Sequence, residues 1–185
     1  MQEFDAVNAQ DPHTETVDDK EVPKELLYSQ RMSEMLEEFY PKASETLCLA
    51  ARCQHIQRWS IPREDFSMDR KGYLQWRTKL KKYHGELAGS IMKDKGYEQE
   101  AIRKVDDLLN KRRLKTDEET QILEDVVCLV FIKYYFEEFL TKHDEAKLVD
   151  IIKKTWNKMS EKGHQAALTM KLSKKASALM NKALA

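Results

Sequence analysis

Scarcity of helix breakers constrains this chain most: its 185 residues include only five glycines and four prolines, and no stretch alternates apolar and polar side chains for long. Strands require that alternation and frequent turns, whereas helices require neither. The expected fold class is therefore all-α. A chain of this length can bury one sizeable core but not two of typical size. The reading is a single domain of about seven helices over residues 23–185, preceded by an acidic N-terminal arm, residues 1–22.

After Pro23, apolar residues recur at helical spacing from Leu26 to Phe39, and Tyr40-Pro41 stops the element. Ser44 is a suitable N-cap for a second helix, predicted to run to about Trp59 because Pro62 disfavours helix just before it. Residues 60–71 read as a charged loop. A helix from Gly72 to Lys95 then ends at Gly96, a residue suited to a C-terminal cap. A shorter helix covers about 98–110. Thr116 and Glu119 have capping-box spacing, and the helix they open reaches about Leu140 with apolar residues on every side of its middle, the mark of a buried central helix. Helices over about 145–160 and 165–184 complete the chain.

Formal net charge is zero, so no global field points to nucleic acid or membrane. Charge is nevertheless uneven: residues 1–25 hold eight acidic and two basic side chains, and residues 52–82 hold nine basic and three acidic. The basic segment reads as an anion-binding surface or a solvated helix face. Cys48, Cys53 and Cys128 are odd in number, lie in apolar helical patterns and form no CxxC, which disfavours a disulfide scaffold and a zinc site. No signal peptide opens the sequence, and the apolar run Val126–Ile132 is far shorter than a membrane span. The expected location is the cytosol, with nuclear entry left open.

Two segments place polar chemistry against apolar surroundings. In Leu47–Arg63 an apolar helical lead-in gives way to Gln54, His55, Arg58 and Trp59; at helical spacing Gln54 would share a face with Arg58, and His55 with Trp59. In Ile122–Ile132, Glu124 and Asp125 interrupt an apolar run. Asp125 has Ile122, Cys128, Leu129 and Ile132 at its helical neighbours, so its carboxylate needs a cation or hydrogen-bond donors. His55, Arg58 or Lys111 are the expected partners, and a buried ion pair fixing helix register is the plain alternative. Arg63, Arg70, Lys71 and Arg77, interleaved with Trp59, Tyr73 and Trp76, suit a phosphate and a stacked ring, or else a salt-bridged loop packed by indoles. No P-loop, GxGxxG or GxSxG is present. Lys158-Met-Ser-Glu-Lys162 resembles a synthetase loop without the α/β sheet such a loop requires.

Leu27–Met32, Ala50–Trp59, Ile61–Arg63, Gly72–Arg77 and Leu123–Phe131 resemble the DUF4202 family, which is defined by sequence rather than by a known reaction. More distantly, Ala50–Arg58 is similar to the Leu-Ala-Ala-Leu-Leu-His-Asp-Ile-Gly-Arg pattern of HD-domain phosphohydrolases, helical metal-dependent enzymes. That alignment puts Gln54 at the His and His55 at the Asp, sets Tyr28 or Ser29 near the early His, and puts Asp125 at the late Asp. His84 opens a segment like the His-rich helix that follows in those enzymes. The resemblance implies an HD-like fold and a divalent ion, but the altered pair weakens the donor set for such an ion, which leaves cofactor use open.

The resulting expectation is an HD-like protein that binds a phosphorylated small molecule or nucleotide, with its hydrolysis as the candidate reaction. His55, His84 and Asp125 are the catalytic candidates. Gln54, Arg58, Trp59, Arg63, Arg70, Lys71, Trp76, Arg77, Lys111 and Glu124 are the ligand-binding candidates. The competing expectation is a non-catalytic ligand-binding or protein-interaction domain with a structural polar network; neither a membrane nor nucleic acid is the expected partner.

Overall fold

Helices make up nearly all regular structure in the computed structural model, which describes all 185 residues. Ten α-helices form where about seven are expected, and one two-stranded hairpin accompanies them. No helix is long and apolar enough to cross a membrane. The chain divides into two compact units, Met1–Leu114 and Lys115–Ala185.

The first unit begins with α1 (Gln2–Asn8), the hairpin strands β1 (Thr14–Val17) and β2 (Lys20–Pro23), and α2 (Lys24–Phe39). Asp18 and Asp19 both adopt positive φ, the two-residue geometry that matches strand twist and that Asp tolerates. This stretch, expected as an acidic arm, is folded because its acids meet cations remote in sequence. Asp5 receives two hydrogen bonds from the Arg52 guanidinium, at 2.6 and 2.9 Å. Glu3 pairs with Lys95 and Glu15 with Arg31, each at 2.6 Å. Phe4 and Asn8 are buried. Pro23 offers α2 no side-chain cap; instead the Glu25 amide donates to Asp11 Oδ2 at 3.0 Å, a cap supplied from fourteen residues upstream.

Next come α3 (Glu45–Arg52), two short 3-10 turns at Arg58–Ser60 and Arg63–Asp65, α4 (Arg70–Asp94) and α5 (Gln99–Leu109). Ser44 caps α3 as expected, accepting from the Leu47 amide. The helix stops seven residues before the predicted Trp59, however, because Asn8 Oδ1 accepts from the Gln57 amide at 3.0 Å and Gln57 turns left-handed at φ 50. α2 and α5 pack on α3, and α4 packs along α5. At that last seam the Asp106 side chain lies against the α4 backbone, so that a Cβ on Gly85 would stand 2.1 Å from Asp106 Oδ1.

The second unit contains α6 (Glu118–Val130), a π-helical turn (Phe131–Tyr135), α7 (Phe136–Lys142), α8 (Glu145–Trp156), α9 (Glu161–Leu168) and α10 (Lys174–Leu184). The buried central helix is present, but the π-helical turn divides it, and its N-cap is Asp117, accepting from the Thr120 amide, rather than Thr116. The last predicted helix is two: Ser173 accepts from the Ala176 amide and starts α10 afresh. Phe136, Leu140, Leu148, Ile152, Leu179 and Met180 form an apolar core among α7, α8 and α10.

Candidate functional site

Truncation of α3 at Arg52 decides the local geometry. Residues 54–57 form a turn rather than a helical face, so the expected pairing of Gln54 with Arg58 and His55 with Trp59 along a helix does not arise. The turn instead presents His55 to α2. The imidazole stacks on Tyr28 at 4.1 Å between centroids and 12° between planes, and its Nδ1 lies 3.4 Å from both the Arg58 guanidinium and the Glu25 carboxylate. Arg58 also approaches the other Glu25 oxygen at 4.0 Å. His84, on α4, comes within 6.0 Å of the His55 ring.

Glu25 is 7% exposed. Burial pushes its carboxyl up to about 7, with Arg58 opposing and Asp11 adding to the rise; near neutral pH it holds its proton about half the time. His55 is held well below the ordinary imidazole range, first by burial and then by the positive charges of Arg58, Arg77 and Lys111. His84, 3% exposed, is lowered to about 3, chiefly by burial. Both rings are therefore neutral at cellular pH. Lys111 stands in the turn after α5 at φ 55, a left-handed conformation that costs a lysine of order 1 kcal/mol and persists only where its surroundings impose it.

Three buried side-chain atoms here lack any hydrogen-bond partner: Asn8 Nδ2, Gln54 Oε1 and His84 Nε2. The His84 tautomer follows from its other nitrogen, which lies 2.8 Å from the Ile56 carbonyl oxygen. A carbonyl only accepts, so Nδ1 carries the proton and Nε2 presents a bare lone pair.

The structure thus brings together Gln54, His55, Arg58, Arg77, Lys111 and His84 of the sequence candidates, and adds Glu25, Tyr28 and Asn8. Glu25 was legible in principle: at helical spacing it shares a face with Tyr28, Ser29, Met32 and Leu36, all buried. Other candidates have different duties. Arg63 donates to the carbonyls of Phe66, Ser67 and Asp69, and so holds a loop. Trp76 is buried, donates to the Ile61 carbonyl at 2.8 Å, and carries the Arg58 and Arg63 guanidinium groups near its ring, 5.0 and 5.9 Å from its centroid. Trp59 is half-buried in a 3-10 turn, while Arg70 and Lys71 lie exposed on the first turn of α4.

Glu124 and Asp125 belong to the second unit, both buried on α6. Asp125 finds its donors there rather than in His55, Arg58 or Lys111. Oδ1 accepts from the Ser160 amide at 2.7 Å and from Gln121 Nε2 at 3.2 Å, and Oδ2 from the Ser160 hydroxyl at 2.5 Å. A Cβ on Gly163 would stand 2.7 Å from Oδ1, so α9 is seated on this carboxylate.

The donor set does not suit the divalent ion of HD-domain enzymes. Nowhere do three His, Cys, Asp or Glu side chains converge as ligands, and the charges nearest His55 are mostly positive, which repels a cation.

Against the families of known proteins, the chain matches the one described as Domain of unknown function (DUF4202) over residues 1–180, and it belongs to that family. Neither the curated proteins nor the solved structures yield a match.

Proposed function

We propose that this member of the DUF4202 family is an HD-like protein that binds a phosphorylated small molecule at the Glu25–His55–His84 cluster and hydrolyses it by acid–base chemistry. One observation carries the reading. Arg58, Arg77 and Lys111 all act on a largely buried neutral imidazole, 12% exposed, while the nearest carboxylate, Glu25, is half protonated near neutral pH. The cluster is short of negative charge, and a phosphate dianion is the counter-charge that fits it, with two-pronged hydrogen bonding from the guanidinium groups.

Binding prepares the chemistry. A dianion beside His55 raises this imidazole toward neutral pH, where it can exchange protons, while His84 keeps its Nε2 as an acceptor. As water attacks phosphorus, an imidazole takes the water proton. Glu25 gives its proton to the departing alcohol oxygen as the P–O bond breaks. The cations stabilise the charge spread over the phosphoryl oxygens. Asp125, engaged between α6 and α9, has no part in these steps. The sequence resemblance of Ala50–Arg58, with Gln54-His55 in the turn that follows α3 and His84 on α4, is what supports the kinship with HD domains.

Binding without turnover is the second reading, favoured by the absence of a metal-ligand set. Phosphate release from a panel of phosphomonoesters and nucleotides, run beside calorimetric binding, separates the two. Turnover lost by about 100-fold or more in His55→Ala supports hydrolysis. Binding without release supports the second reading. No binding of any phosphorylated compound, or binding unchanged by Arg58→Ala and Arg77→Ala, overturns both.

A further inference from the structure

We infer that the ligand of this site carries hydroxyl groups beside its phosphate, as a sugar or polyol phosphate does. This rests on the phosphate reading above and specifies what the rest of the molecule must bring.

The three unpartnered buried atoms all surround one turn. Gln54 lies in it, His84 donates to its Ile56 carbonyl, and Asn8 accepts from its Gln57 amide. Gln54 and His84 are 5% and 3% exposed and Asn8 is fully buried. Buried polar atoms without partners are rare in folded proteins and point to a group that completes them. Two of the three, Gln54 Oε1 and His84 Nε2, can only accept. A phosphate dianion also only accepts, so it leaves both unsatisfied and sets its charge against their lone pairs. An ammonium group or metal ion would donate or coordinate, yet would meet the charges of Arg58, Arg77 and Lys111. Neutral hydroxyls meet every condition, donating to Gln54 or His84 and accepting from Asn8 Nδ2. Polar sites of this kind discriminate strongly against analogues that lack the matching group, because their atoms are then left unpaired.

Calorimetry on the full chain tests this with ribose 5-phosphate, butyl phosphate and inorganic phosphate. Butyl phosphate presents the same ester with no hydroxyl on its chain. Ribose 5-phosphate is expected to bind about 10- to 100-fold more tightly than the other two. That advantage should fall below about threefold in Gln54→Met, a near-isosteric change without the acceptor, and in His84→Phe. Thermal melts confirm that each variant is folded at the assay temperature; Gln54→Met decides the matter if His84→Phe does not fold. Equal binding of all three probes overturns the inference and leaves the phosphate reading intact, with water then completing the three atoms. An advantage that survives Gln54→Met also overturns it. Failure of every probe and of every phosphorylated compound removes the phosphate reading itself.

Discussion

Replacing Glu25 by Gln should stabilise the protein at alkaline pH and do nearly nothing in acid. The folded chain raises this carboxyl from 4.5 to about 7, whereas the unfolded chain leaves it near its ordinary value. Between those two values the folded state keeps a proton that the unfolded state has released. Stability therefore falls as pH rises through this window, and the loss is complete above it. At about 1.4 kcal/mol per pH unit the rise is worth about 3 kcal/mol. Glu25→Gln keeps the shape and removes the charge, so it should gain about 3 kcal/mol at pH 8, on the order of 10 °C in Tm, and under about 0.5 kcal/mol at pH 4. Urea denaturation at pH 4, 6 and 8 measures this, followed by Trp59 and Trp76 fluorescence in a Trp156→Phe background so that the signal reports on the first unit. Equal stability of the two proteins at pH 8 would mean that the Glu25 carboxyl is not raised by the fold. So would an advantage of the same size at every pH, which would signify packing rather than charge. A destabilising ionisable group is what a binding site retains when function needs it.

His84 acts in the opposite direction. Lowered from 6.5 to about 3, it makes the unfolded state the greater proton binder across that window, so stability falls as pH drops below about 6.5. His84→Gln should flatten the acid limb of the stability profile by about 1.4 kcal/mol per pH unit, and an unchanged acid slope would count against a buried neutral ring. Asp11→Ala should cost about 1 kcal/mol through the lost cap on α2 and lower the Glu25 pKa, read by carboxyl NMR titration; an unmoved Glu25 resonance would contradict the contact. Asp125→Ala leaves the Ser160 amide and hydroxyl without their acceptor and Gln121 with only the Lys158 carbonyl, for a loss of about 3 kcal/mol and faster hydrogen exchange in α9; a loss below 1 kcal/mol would show that α9 is not held by this carboxylate. A double-mutant cycle on Asp5 and Arg52 should give a coupling of about 1 kcal/mol, and zero coupling would mean that the bidentate pair does not anchor α1.

Much of the first layer of organisation was legible in the chain. Few glycines and prolines, helical spacing of apolar residues and local caps such as Ser44 and Gly96 determine the helical class, because those signals act within a few residues. Local patterning likewise marks His55, Arg58 and Asp125 as polar groups needing partners, since the desolvation cost of a buried polar group depends on its neighbours along the helix, whereas His84 enters only through the resemblance to HD-domain enzymes. What it could not supply were the partners. α3 ends at Arg52 because Asn8 captures the Gln57 amide; α2 is capped by Asp11; the acids of the first residues are ordered by Arg31, Arg52 and Lys95. Each is an interaction between groups remote in sequence, and no local propensity encodes it.

Site chemistry divides along the same line. Residue types fix which groups can titrate or donate, and that much belongs to the sequence alone. That Glu25 is about half protonated near neutrality while His55 and His84 stay neutral is a property of the fold, because burial and charges brought close by folding set those shifts. The fold also makes Asp125 seat a helix and Arg63 hold a loop, and it leaves Gln54 Oε1 without a hydrogen-bond partner. Hydrogen bonds and fields act over a few ångströms in space, and folding determines which residues lie within that reach.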